Sequence, residues 1–134
     1  PSFKKLLERK SVQSIAPTFE RSIKYARSEA IQRGVTIHVL PSTTGSNWAT
    51  GWTVKAIGST GAAEVIRNFE GLSGSLNFTS VDFNTTTPLI ILSTGEADTT
   101  GSFTLNYPDC TGNNVINFQV LISGLLKKSL DACT

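Results

Sequence analysis

The run SIKYARSEAIQRGV, residues 22–35, mixes cations, acids and apolar side chains and stops at a glycine. Read backwards to Ile15, its apolar members Phe19, Ile23, Ala26 and Ala30 recur every three or four residues, the spacing that collects side chains on one face of a helix. Glu20, Lys24, Arg27 and Ser28 fall largely on the opposite face. Glu20 with Lys24 and Glu29 with Arg33 are i,i+4 pairs in the favourable order, each contributing ~0.3 kcal/mol. Gly34 follows with the backbone freedom that a left-handed helix cap needs, and Arg33 stands in the last turn where a cation suits the helix dipole. The spacing predicts a helix that ends at residue 33.

Upstream, PSFKKLLERKSVQSIA, residues 1–16, is also helical in pattern, and Pro17 predicts a kink or restart near residues 12–16 because it removes a backbone donor. Residues 3–33 would extend for about 45 Å, so part of the helix is expected to protrude. Downstream of Gly34 the period changes to two. Val35, Ile37 and Val39 alternate with Thr36 and His38, and Trp48, Trp52, Val54 and Ala56 share one parity, with the turn PSTTGSN (residues 41–47) between them. A first hairpin follows from that pattern. Further strands are expected at residues 64–69, 75–81, 89–92, 103–107, 115–122 and 125–130, separated by Gly, Ser and Thr. The fold class is α+β: a long N-terminal helix, residues 1–33, packed on an antiparallel β-sheet domain, residues 34–134, all within one domain.

Charge is divided unevenly along the chain. Lys4, Lys5, Arg9, Lys10, Arg21, Lys24, Arg27 and Arg33 precede Gly34 against Glu8, Glu20 and Glu29, whereas acids outnumber cations in the remainder. The formal net charge of +2 is too small to imply nucleic-acid binding by itself. No apolar run approaches the ~20 residues of a helical membrane span. Cys110 and Cys133 are the only cysteines. A disulfide between them would contribute ~3 kcal/mol in the chain-entropy model and imply an oxidising compartment; two free thiols are the alternative. Two cysteines and the single histidine, His38, do not compose a structural zinc site.

YARSEAIQRGVTIHV (residues 25–39), NWATGWTV (47–54), GSFTLNYPDC (101–110) and VLISGLLKK (120–128), in this order, resemble the landmarks of the GspH/FimT family, the minor pilins of type IV pili and minor pseudopilins of type II secretion. PSF at residues 1–3 is similar to the point where the hydrophobic half of a pilin helix gives way to its amphipathic half. The resemblance implies a type IV pilin-like fold and a membrane-spanning segment ahead of Pro1, the residues read here being the soluble part. It also implies an inner-membrane protein with a periplasmic domain that later joins the filament, at its tip or base. Its partners would be other minor pilins and the major pilin. On this reading the helix face of Phe19, Ile23, Ala26 and Ala30, with Trp48 and Trp52, packs helix against sheet, while Arg21, Lys24 and Arg27 meet neighbouring subunits. A bond between Cys110 and Cys133 resembles the pilin habit and favours the pilus subunit over the secretion pseudopilin.

Family members linked to DNA uptake carry a C-terminal Gly-Arg-x-Arg motif. The matching positions here are Gly124, Leu125, Leu126 and Lys127, so both guanidiniums that could grip a phosphate bidentately are gone. Lys127 and Lys128 remain as candidates for weak, salt-sensitive DNA contact. Trp48 and Trp52 offer an aromatic platform for a sugar or base, against the alternative of core packing. Glu96 and Asp98 could ligate Ca²⁺, but their loop lacks the oxygen density of an EF-hand. GSTGAAE, residues 58–64, lacks the lysine of a phosphate loop. No catalytic constellation and no cofactor are expected, and the function implied is pilus assembly or priming through subunit contacts, with DNA binding and type II secretion as the alternatives.

Overall fold

The computed structural model describes residues 2–58, 60–71, 76–108, 110 and 112–133. Helix α1, Ser2–Arg33, leads the chain. It runs through Pro17 without a break, against the expected restart. Pro17 is exposed, so the carbonyl that loses its intrahelical donor can turn to water. The expected protrusion concerns residues whose side chains, at 4–14, lie outside the described set, as do Pro1, Ser59 and Ser75. At the other end Gly34 takes a φ of +65°, and the Val35 N–H donates back to the Ala30 carbonyl at 3.3 Å, which closes the last turn.

Eight strands follow: β1 Thr36–Pro41, β2 Gly51–Ile57, β3 Ala63–Glu70, β4 Asn77–Thr79, β5 Leu89–Ile91, β6 Gly101–Asn106, β7 Val115–Val120 and β8 Leu126–Asp131. They form two four-stranded sheets, ordered β3-β2-β1-β5 and β4-β6-β7-β8. All pairings are antiparallel. In the first sheet Ile37 faces Ala56 and Val39 faces Val54, so the alternation of β1 carries directly across to β2. In the second, Phe103 faces Phe118 and Phe78 faces Leu105. Trp48 departs from the sequence reading. It belongs to a 3₁₀ turn, Trp48–Thr50, whose N-cap Asn47 accepts the Ala49 N–H at 3.1 Å, and only Trp52 lies on a strand.

Phe19 is the junction of these elements. It is fully buried, with ring centroids of Trp52 from the first sheet at 5.4 Å and of Phe78, Phe103 and Phe118 from the second at 4.8, 4.8 and 5.1 Å. Trp48 closes the ring at 6.3 Å, and its indole N–H donates to the Phe83 carbonyl at 3.1 Å. Most of these contacts are edge-to-face, which directs the positive rim of one ring at the negative face of another. Beyond Phe19 the buried helix positions are Ser22, Ile23, Ala26 and Ala30. The small size of Ser22, Ala26 and Ala30 lets the helix backbone approach the sheets, and Ser22 satisfies its hydroxyl on the Thr18 carbonyl at 2.8 Å.

Two further ties fix the periphery. A disulfide joins Cys110 to Cys133, and the Cys133 N–H donates to the Gly112 carbonyl at 2.8 Å, so the segment after β8 is held to the loop between β6 and β7. On the outer side of β1, His38 lies opposite Lys55 of β2. Burial, reinforced by the Lys55 ammonium, pushes the His38 pKa below 6.5.

Two outcomes follow from this packing. Phe19→Ala lowers unfolding stability by about 3–5 kcal/mol in urea titration, because the cavity it leaves is lined by parts of both sheets that cannot collapse together. His38 binds its proton more readily in the unfolded chain than in the folded one, so its contribution is complete above the unfolded pKa and declines as pH falls through the folded value. Urea midpoints measured from pH 7.5 down to pH 5 therefore fall more steeply for the wild type than for His38→Gln.

Candidate functional site

The core face of α1 leaves two flanks and a solvent side. On one flank Tyr25 meets Phe69 of β3, and the Arg67 guanidinium lies over both rings, 5.2 Å from Tyr25 and 4.6 Å from Phe69. On the other flank Glu20 pairs with Lys128 of β8 at 3.5 Å, and Arg27 reaches two turns. The Arg27 Nε–H is shared between the Gly95 carbonyl at 3.2 Å and the Ser123 carbonyl at 3.1 Å.

These two turns, one after β5 and one between β7 and β8, also hold each other. The Ala97 N–H donates to the Ile122 carbonyl at 2.9 Å. Gly124, at φ +86°, has no room for a Cβ because one would overlap the Gly95 carbonyl oxygen. Gly95, at φ +91°, lies against Ile31, whose Cδ1 would stand 2.8 Å from an added Cβ. The result is a groove of about 380 Å³ between α1 and the β7–β8 turn, lined by Lys24, Arg27, Ser28, Ile31, Gln32 and Leu125. Ile31 is 47% exposed and Leu125 44% exposed, with Leu121 and Ile122 also open beside them. The chemistry offered is an apolar floor with an ammonium and a guanidinium at the rim, suited to docking a surface.

Of the cations singled out in the sequence, Arg21 and Lys24 are exposed on the solvent side of α1. Arg27 is placed differently from the sequence reading. It is half-buried and its Nε serves the two turns of its own chain, so it shapes the groove instead of standing free on the polar face. Lys127 and Lys128 are exposed on β8, which is the outermost strand of its sheet. Trp48 and Trp52 are both fully buried, which removes the aromatic platform for a sugar or base. Glu96 accepts from the Thr94 hydroxyl at 3.2 Å, and both Glu96 and Asp98 are exposed. Among the described residues no group of three or more His, Cys, Asp or Glu is placed to hold a metal ion, and no described helix is long and apolar enough to cross a membrane.

Ile31 and Gly95 were not picked out from the sequence, and Gly124 and Leu125 entered it only as positions of the C-terminal motif and not as part of a groove. Ile31 gave one usable signal, an apolar side chain out of step with the face of Phe19, Ile23, Ala26 and Ala30. The meeting of Gly95 with Gly124 had none, since nothing local in either turn announces the other.

The fold is shared with solved structures. The type IV minor pilin FimU of Pseudomonas aeruginosa superposes with a TM-score of 0.72 at 20% identity, over 94% of this chain and 92% of that one. The minor pseudopilin EpsH of the Vibrio cholerae type 2 secretion system gives a TM-score of 0.71 at 15% identity, over 90% of this chain and 97% of that one. No curated protein sequence matches the chain. The family model of the type II transport protein GspH matches residues 16–125, from the buried start of the helix seam to the groove residue Leu125, and the chain therefore belongs to the GspH/FimT family of minor pilins and pseudopilins.

Proposed function

We propose that the protein is a minor pilin that takes part in assembling or priming a type IV pilus, acting through contacts with other pilin subunits and not through catalysis. The observation that carries this reading is the division of α1. One face is sealed against both sheets by Phe19, while the opposite side presents Arg21 and Lys24 beside the open groove of Ile31 and Leu125. A helix so divided is suited to lie between its own head and a neighbour. The partners are other minor pilins and the major pilin, and a hydrophobic helix preceding Pro1 anchors the subunit in the inner membrane before it joins the filament. The Cys110–Cys133 bond agrees with folding in the periplasm and favours the pilus over the secretion pseudopilus.

Deletion of the gene, followed by counting surface pili and assaying type II secretion in the same cells, separates the readings. Loss of pili with secretion intact supports the pilus subunit. Retained exoprotein with pili intact transfers the same contacts to a pseudopilus, and no change in either contradicts a subunit role. The double substitution Arg21→Glu, Lys24→Glu is expected to reproduce most of the deletion phenotype, while the purified chain keeps its unfolding free energy within about 0.5 kcal/mol, because both side chains are exposed and unburdened by core contacts.

A further inference from the structure

Each sheet ends on one long strand with no partner on its outer side among the described residues: β3 in the first sheet and β8 in the second. The other two edges are covered. The Asp98 backbone N–H donates to the Ile90 carbonyl of β5, and Asn47 bridges Thr79 on β4. The two open edges lie on opposite flanks of α1, since Tyr25 faces β3 and Glu20 faces β8. They differ in charge. The β8 edge carries Lys127 and Lys128 with Leu130 62% exposed, and the β3 edge carries Glu64 and Glu70 with Val65 50% exposed.

Other charges near these edges leave that contrast in place. Arg67, on β3 between the two glutamates, is exposed and stacks on the rings of Tyr25 and Phe69, so the β3 edge sets two carboxylates against one guanidinium and stays acidic on balance. Lys55 lies on β2 opposite Val65, one strand in from the edge. Asp131 ends β8 and is bound by the Asn117 side-chain amide. Lys128 has only the 3.5 Å contact with the half-buried Glu20, and neither Glu64 nor Glu70 has an ion-pair partner among the described residues.

We infer that the β3 edge of one copy of this chain pairs with the β8 edge of a second copy, extending the first sheet of one into the second sheet of the next. The inference rests on the subunit reading above and names a partner for it, a second copy. An exposed edge strand leaves a row of N–H and C=O groups that another strand satisfies, and natural edges discourage this with like charges. Here the charges on the two edges are opposite, so each edge repels its own kind and attracts the other. Because the two edges differ, the contact is heterologous, each copy keeps one edge free, and the copies add in a row instead of closing into a dimer.

The test uses the 134-residue chain itself, with sedimentation velocity over a concentration series to millimolar at low and at 0.5 M salt. The wild type is expected to gain average mass with concentration and to lose it in salt. Glu64→Lys, Glu70→Lys places lysines on both edges, and Lys127→Glu, Lys128→Glu places glutamates on both. Each double variant alone should associate at least about tenfold more weakly than the wild type, while an equimolar mixture restores wild-type association because every β3–β8 contact between unlike copies is again complementary. Unchanged far-UV circular dichroism shows that the variants are folded. A wild type that stays monomeric, or variants whose mixture associates no better than either alone, overturns the pairing. Either result leaves the subunit role to the piliation experiment, which reads it independently.

Discussion

The contact on which the rest depends is the insertion of Phe19 between two sheets. An antiparallel sheet buries one face, and two four-stranded sheets from a short chain each need a covering layer. A single helix serves both because one side chain on it reaches Trp52 on one side and Phe78, Phe103 and Phe118 on the other. The small buried residues on either side of it, Ala16 before and Ser22, Ala26 and Ala30 after, allow the close approach that brings the ring to that depth. A bulky side chain at any of them would lift the helix and open the seam.

From that seam the surface chemistry follows. With its core face committed, α1 has only its flanks and outer side to offer, and each flank is occupied in a different manner. Towards β3 the helix uses an aromatic ring and a stacked guanidinium, and towards β8 it uses an ion pair and a guanidinium shared between two carbonyls. Glu20 therefore fastens the second sheet to the helix and Arg27 ties the helix to a turn from each sheet, while Arg21 and Lys24 stay in water. The groove beside Ile31 exists because the turns after β5 and β7 are glycine-tight at Gly95 and Gly124, leaving Leu125 to project. The proposed assembly role would draw on this combination of a rigid seam that fixes the head on its helix and exposed apolar and charged features on the outer side.

The helix, its end and its buried face were legible in the sequence because they depend on local spacing: Phe19, Ile23, Ala26 and Ala30 at helical intervals and Gly34 after them. The strands were legible for the same reason, through alternation in β1, β2 and β7. Their partition into two sheets was not, since alternation fixes which side chains share a face and says nothing about which strands pair. Trp48 shows the limit clearly. Its parity with Trp52 suggested one strand, yet Asn47 caps a 3₁₀ turn there, and both rings reach the core by different routes. Arg27 is the corresponding case at the candidate site. Its helical position marks it as polar-faced, but its partners, Gly95 and Ser123, lie far along the chain and no spacing rule connects them. The family landmarks around residues 25–39 and 47–54 carried the reading further than periodicity could.

Native-state hydrogen exchange tests the seam most directly. If Phe19 locks helix and sheets into one unit, the slowest amides of α1 between residues 19 and 30, of β1 and β2, and of β6 and β7 exchange with the same opening free energy, equal to that of global unfolding. If the helix amides instead exchange through a cheaper opening while both sheets stay protected, the helix is an attachment and not the element that joins them, and the account is wrong at its centre.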